Sequence, residues 1–325
     1  MNISAIVTTP PYADFLAEIA SHPIVSGFRL NTVMPLRESQ REVLQRLCKI
    51  ISARGGVPAA EDGGLSNVPV WVDLKGRQLR VVGAAIPPYT EVKLSHPITV
   101  ETPVDAYFSD GNERVKVAAV DGDRLILADG PRRLIGAVFT LHRFQNLNIV
   151  HPSLKIEGTL TDTDKTYLAA MKELGMTKVM LSYVESADDV DEVKSYLPNS
   201  EVILKIETQR GLDFAKKHGS KHGHLMAARG DLYVEVLRPH KVAGAVKTII
   251  KADKDAVIAS HILDSLAYQP VPVSADIGDV AFLLEIGYRT FMLGDLVCLR
   301  RETVLEALNL LEEIAKDFYS TSVVE

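Results

Sequence analysis

The 325-residue chain is 46% hydrophobic and 24% charged, with a net charge of −6; it is long enough to bury a core of its own. Mild acidity without a basic stripe interleaved with aromatics excludes a nucleic-acid grip. No apolar run approaches the ~18 residues of a membrane span, the start MNISAIVTTPP has no charged or long apolar leader region, and two distant cysteines, Cys48 and Cys298, form neither a CxxC pair nor a disulfide framework. A cytoplasmic protein is the expectation.

Short apolar runs ending in polar residues alternate with helical patterns along the chain. Strands are predicted over 4–9, 27–33, 68–76, 178–185, 201–208, 224–231, 256–262 and 289–295. Most are near-continuous apolar stretches, as in parallel strands buried on both faces. Helical patterns cover 13–20, 39–56, 162–175, 187–197, 211–219, 238–252, 274–287 and 302–318. The second contains Cys48 as a core position, and Thr161 or Asp162 is the N-cap of the third. Eight such repeats predict a closed (β/α)₈ TIM barrel rather than an open doubly wound sheet.

Residues 77–145 break the rhythm. They hold β-type runs over 78–86, 91–96, 104–109, 113–131 and 136–143, punctuated by Gly, Pro and Asp-Gly. DGDRLILADGP has hairpin chemistry. The expected organisation is a barrel over 1–76 and 146–325, with 77–145 as a small β-domain inserted after strand 3.

Barrel chemistry resides at the C-terminal ends of strands, so the polar residues there are the candidates. In VILKIE, alternation puts Lys205 and Glu207 on one face and Ile206 on the other. Two inward charges read either as a lumen salt bridge or as a carboxylate ligand for a hard cation beside a fixed positive charge. Asp231 is a second carboxylate for the same cation. Gly230 permits close backbone approach, and amides of the following turn suit a carboxylate or phosphate. Arg29 and Asn31 share a face; Arg29 suits a phosphate or carboxylate, or a structural pair with Asp73. Ser260 could hydrogen-bond a substrate, and His261, the next residue, is expected to point away. The Arg-Gly-Asp tripeptide caps a buried strand, which leaves an adhesion role unsupported. HExxH spacing, the phosphate-loop motif and the dinucleotide fingerprint are all missing.

FRLN (28–31), VDLKG (72–76), SYVESADDVDEV (182–193), LKIETQRG (204–211), MAARGDLYVEV (226–236), VIASHILDSL (257–266) and FMLGD (291–295), in this order of strands, resemble the strand-end motifs of the pyruvate kinase family. The insert before QNLNI (145–149) falls where that family carries a small β lid domain. The resemblance implies that Glu207 and Asp231 hold Mg²⁺ or Mn²⁺, and that Lys205 stabilises the phosphoryl group and the enolate. It places Arg29 on the transferred phosphate, the Gly230 and Asp231 amides on the substrate carboxylate, and Ser260, replacing a threonine, near the methyl-forming carbon. Asn31 and Asp73 match a monovalent-cation site, and Arg80 matches a hinge arginine near nucleotide phosphates.

Departures from the pattern carry weight too. Val33 and Met34 replace a serine and a histidine, and Leu74, Arg77 and Gln78 interrupt the third-strand motif. Val33 and Leu74 argue against K⁺, and Met34 leaves ADP or ATP use open. A counterpart of the family's C-terminal regulatory domain is not expected. Three readings follow: a divergent phosphotransferase acting on phosphoenolpyruvate or pyruvate through a metal-stabilised enolate; a metal-dependent lyase, aldolase or decarboxylase of 2-oxo acids that needs no nucleotide; and a non-catalytic binder of an enolpyruvate metabolite. A homo-oligomer is compatible with each.

Overall fold

The structure, a computed structural model, describes residues 3–52, 68–83, 90–108, 111–128, 141, 145–236 and 238–321. In chain order it forms β1 (Ser4–Thr9), α1 (Leu16–Ile19), β2 (Val25–Asn31), α2 (Gln40–Ser52) and β3 (Val70–Leu74). An insertion follows, with β4 (Glu91–Lys93), β5 (Ile98–Thr99), β6 (Val104–Phe108), β7 (Glu113–Asp121), β8 (Arg124–Leu127), β9 (Leu147–Asn148) and β10 (Lys155–Ile156). The chain resumes with α3 (Asp162–Glu173), β11 (Lys178–Leu181), α4 (Ala187–Tyr196), β12 (Glu201–Ile206) and α5 (Gln209–His218). It ends with β13 (His224–Ala228), α6 (Arg229–Glu235), α7 (Val242–Ala252), β14 (Val257–Ala259), α8 (Ser274–Glu285), β15 (Thr290–Leu293) and α9 (Arg301–Thr321).

Eight parallel strands close in the order β1-β15-β14-β13-β12-β11-β3-β2, and the chain is a TIM barrel. Strand alternation sorts its side chains into two layers. Val202, Leu204 and Ile206 of β12, with Phe28 and Leu30 of β2, pack outward in the main core, where the helices also bury their apolar faces. Ile6, Met180, Ile203, Met226, Val257 and Met292 fill the lumen from within. One residue further along the inward faces of β2, β3 and β12 the lining becomes Arg29, Asp73 and Lys205, all buried.

Each strand was expected at its observed place, but most stop earlier. β3 ends at Leu74, β13 at Ala228 and β14 at Ala259. The polar tails leave the ladder because they make other bonds. Asp231 thus lies in the first turn of α6 rather than on a strand. Leu74 faces the outer core, so its apolar side chain does not alter the lumen; the inference drawn from it about K⁺ loses that support.

The insertion builds a five-stranded antiparallel sheet, β4-β8-β7-β6-β9, with β5 paired to β10. It has its own apolar cluster, including Leu79, Val92, Phe108, Val117, Leu125 and Ile149. The Asp-Gly signal is a two-residue hairpin turn between Asp121 and Arg124, with Gly122 at φ 57. The runs expected over 136–143 and 84–86, and the helix end over 53–56, fall wholly or largely outside the described residues.

Two capping boxes fix where the insertion joins the barrel. Thr161 caps α3 and Ser186 caps α4, with Asp164 and Asp189 as their third-position partners. The Asp164 carboxylate also accepts from the backbone of Lys75 (2.9 Å) and Gly76 (3.1 Å). Asp189 binds Arg77 at 2.6 Å and accepts from Thr159 at 3.2 Å. Outgoing and returning connections are therefore pinned by neighbouring helix starts. Gly76 sits at φ 50, and a Cβ there would lie 2.7 Å from the Ser182 carbonyl oxygen.

Candidate active site

A cleft of about 370 Å³ opens at the C-terminal mouth of the barrel. Arg29, Asn31, Arg80, Lys205, Glu207, Gly230, Asp231 and Ser260 all line it. Asp73 lies just beneath, fully buried.

Asp73 is the hub. Its Oδ2 accepts from Arg29 Nε (2.8 Å) and Nη2 (2.5 Å) and from Lys75 Nζ (3.1 Å). Its Oδ1 meets Lys205 Nζ and Ser182 Oγ, each at 3.4 Å. Burial alone would raise its pKa, but Lys205, Lys75 and Arg29 outweigh that and hold the carboxyl well below its usual range. Burial pulls Lys75 down to about 7, with Lys205 and Arg29 adding to the effect against Asp73. Arg29 also donates to Thr8 Oγ1 (3.2 Å) and Asp295 Oδ1 (3.1 Å), and Asn31 Nδ2 donates to Asp295 Oδ2 at 2.9 Å. The Arg29–Asp73 pair held open by the sequence is present.

Lys205 Nζ donates to Ser182 Oγ at 2.7 Å and lies 3.1 Å from Glu207 Oε1. Burial works against its charge, but Asp73 and Glu207 together raise it above its ordinary value. Glu207 Oε2 accepts from the Tyr183 amide at 2.8 Å. Burial pushes Glu207 up to about 7; Lys205 opposes this and the charge of Asp231 adds to it. Asp231 Oδ2 accepts from Gln78 Nε2 (2.6 Å), and Oδ1 from Asn148 (3.2 Å) and Asn146 (3.3 Å). The two carboxylates line one cleft, with Glu207 buried and raised mainly by that burial. A hard divalent cation, which takes carboxylate and amide oxygens, fits this donor set of Glu207, Asp231, Gln78 and Asn146.

Arg80 donates twice to Gln78 Oε1, through Nε (3.1 Å) and Nη2. Burial lowers its pKa, and Asp231 and Asp73 pull the other way. Gln78 thus bridges the hinge arginine to Asp231. Ser260 and His261 both have positive φ, 68° and 58°. Strand alternation no longer applies past Ala259, so His261 lines the same cleft rather than pointing away; its Nδ1 lies 3.1 Å from Asp264 Oδ2. Arg229 braces this turn. It pairs with Asp279 through two 2.8 Å bonds and donates to the Ser260 and His261 carbonyls.

Several participants carried no assigned role in the sequence: Gln78, Asn146, Asn148, Tyr183, Glu235 and Asp295. Glu235 stands one helical turn beyond Asp231, an i,i+4 spacing that was readable; Asn148 Nδ2 joins it (3.0 Å) to the Tyr183 hydroxyl (2.6 Å). Burial pushes Glu235 up to about 8. Asn148 and Tyr183 come from elements far apart in sequence, and no local pattern links them.

The arrangement can grip an anionic small molecule between cations while carboxylates hold a metal. Comparison with known proteins identifies the family. The family model for pyruvate kinase, barrel domain, matches residues 99–295. The chain is 24% identical over 314 residues to the pyruvate kinase of Borreliella burgdorferi, covering 90% of this chain and 62% of that protein. It is 27% identical over 272 residues to that of Methanocaldococcus jannaschii, covering 77% and 58%. It is 32% identical over 212 residues to one from Agrobacterium vitis, covering 63% and 42%. The chain thus spans less than two thirds of the length of these relatives. With the closed barrel, the strand-end charges and the matched segment in agreement, the chain belongs to the pyruvate kinase family.

Proposed function

We propose that the mouth of the barrel binds a carboxylate of the phosphoenolpyruvate or pyruvate type with Mg²⁺ or Mn²⁺, and supports phosphoryl transfer. The observation that carries this reading is the pair of carboxylates, Glu207 and Asp231, lining one cleft beside the Lys205 ammonium, which lies 3.1 Å from Glu207. A divalent cation held by these two residues would supply Lewis-acid polarisation of substrate oxygens. Lys205, kept protonated by Asp73 and Glu207, places a fixed positive charge where negative charge develops on substrate oxygen. The first-turn amides of Gly230 and Asp231 suit the substrate carboxylate. The Ser260 hydroxyl can orient the reacting carbon or a water beside it.

Arg29 and Arg80 are the groups for a phosphoryl or nucleotide phosphate, with Asn31 and Asp73 beside them as the monovalent-cation candidates. Because Lys75 and Arg29 already occupy Asp73, the activity is expected to proceed without K⁺. We also read residues 77–145 as a lid domain on a barrel of 1–76 and 146–325. The test is pyruvate release from phosphoenolpyruvate with Mg²⁺ or Mn²⁺, with and without ADP and K⁺. ADP-dependent, K⁺-indifferent release supports phosphoryl transfer.

A second reading has its own observation. Arg29 donates to Asp73, Asp295 and Thr8, so much of its fork is spent inside the protein. A 2-oxo acid lyase or decarboxylase would use Lys205, Glu207 and Asp231 without a free phosphate arginine. Metal-dependent oxalate binding without pyruvate release from phosphoenolpyruvate would favour it.

A further inference from the structure

A second cleft, of about 530 Å³, lies between the returning segment 149–156, the start of α5 and the segment after α6. It shares no lining residue with the cleft at the barrel mouth. We propose that it is a separate binding site for a small anion with an apolar body, such as an organic carboxylate or a phosphate ester.

Its volume suits a compact organic molecule. Ile149, Leu154 and Val236 give it an apolar wall. Four cations reach it, Arg77, Lys155, Arg210 and Lys241, against two carboxylates, Glu185 and Glu235. Both carboxylates are engaged: Glu185 accepts from Thr208 at 2.8 Å and Glu235 from Asn148 at 3.0 Å. Arg77 and Arg210 are bound by Asp189 and by the carbonyls of Pro152 and Leu154. Lys155 and Lys241 are exposed, and their ammonium groups have no hydrogen-bond or ion-pair partner among the described residues. Two uncommitted ammonium groups beside an apolar wall recognise one negative charge on an apolar body. The site also touches the chemistry. The wall between the clefts is Asn148, whose Nδ2 reaches Tyr183 and Glu235 on one side and Asp231 on the other. An occupant that shifts Tyr183 or Glu235 therefore acts on Asp231 through a single amide.

The probe is 8-anilinonaphthalene-1-sulfonate, an apolar anion, titrated by fluorescence into the full chain, with phenyl phosphate as competitor. The expected result is saturable binding at one site per chain, displaced by phenyl phosphate. The double variant Lys155→Glu/Lys241→Glu should bind about tenfold more weakly or worse, with an unchanged melting temperature because neither ammonium group has a partner among the described residues. Arg80→Gln, in the other cleft, should bind within about twofold of wild type. An unchanged affinity in the double variant, loss of binding in Arg80→Gln, failure of phenyl phosphate to displace the dye, or no saturable binding would each overturn the proposal. None of these readouts depends on turnover or metal, so they stand apart from the activity proposed for the barrel mouth.

Discussion

Arg29 grips Asp73 with two nitrogens on one oxygen, Nε at 2.8 Å and Nη2 at 2.5 Å, both partners buried. Two lysines share the same carboxylate, so Asp73 is the counter-ion for three cations at the floor of the mouth. Removing one partner of a buried ionic cluster leaves uncompensated charge. Asp73→Asn is expected to lower unfolding free energy by about 3–5 kcal/mol, read from urea denaturation at neutral pH. A loss below ~1 kcal/mol, the size of a surface pair, would contradict the hub.

Two carboxyls give opposite pH dependences in metal-free protein. Asp73 has a folded pKa below its unfolded value of about 3.9, so its stabilisation is present above that value and is lost as pH falls. Glu207 has a folded value near 7 against an ordinary 4.5. The folded state then binds the extra proton, so its contribution is full below about 4.5 and disappears as pH rises through 7. Glu235, pushed to about 8, acts in the same direction. Below about pH 7 urea midpoints should therefore fall on both sides of a mildly acidic maximum; above it the depressed Lys75 acts in the opposite direction. Mg²⁺ or Mn²⁺ should flatten the upper limb; an upper limb indifferent to both ions would remove the case for a cation at Glu207.

Lys205→Met keeps the volume and removes the charge. Turnover in the pyruvate-release assay is expected to fall by about 10³-fold or more, in the range seen when a transition-state charge donor is removed. Metal affinity, measured by Mn²⁺ titration, should change little by comparison. Turnover near the wild-type rate would end the assignment of Lys205.

Arg229 holds the turn that carries Ser260 and His261 by donating to both carbonyls and pairing with Asp279. Arg229→Met should weaken metal-dependent oxalate binding about tenfold, since the left-handed turn at 260–263 loses its brace. Asp279→Asn should cost less, because the bonds to the carbonyls survive it. Calorimetric titration with oxalate separates the two, and equal affinities in wild type and Arg229→Met would rule the brace out.

The barrel was legible because each strand carries its own evidence: apolar in both layers, polar at the end. Lys205 and Glu207 stood out for the same reason, as two charges at alternate positions of an apolar strand. Reading failed where the chain leaves the ladder. His261 was expected to point away, yet positive φ at Ser260 and His261 turns both toward the cleft. Leu74 seemed to alter the lumen, yet alternation buries it outside. The contacts of Gln78 and Asn148 with Asp231 are made where the two ends of the insertion meet the barrel, across 153 and 83 residues of chain, which no local pattern encodes.

Asp164 and Asp189 serve two masters: each completes a helix start, and each grips a strand of the connection to the inserted sheet. Freeing either end of the insertion from the barrel therefore means breaking bonds made by a helix-capping carboxylate, so the starts of α3 and α4 are coupled to the attachment of the sheet.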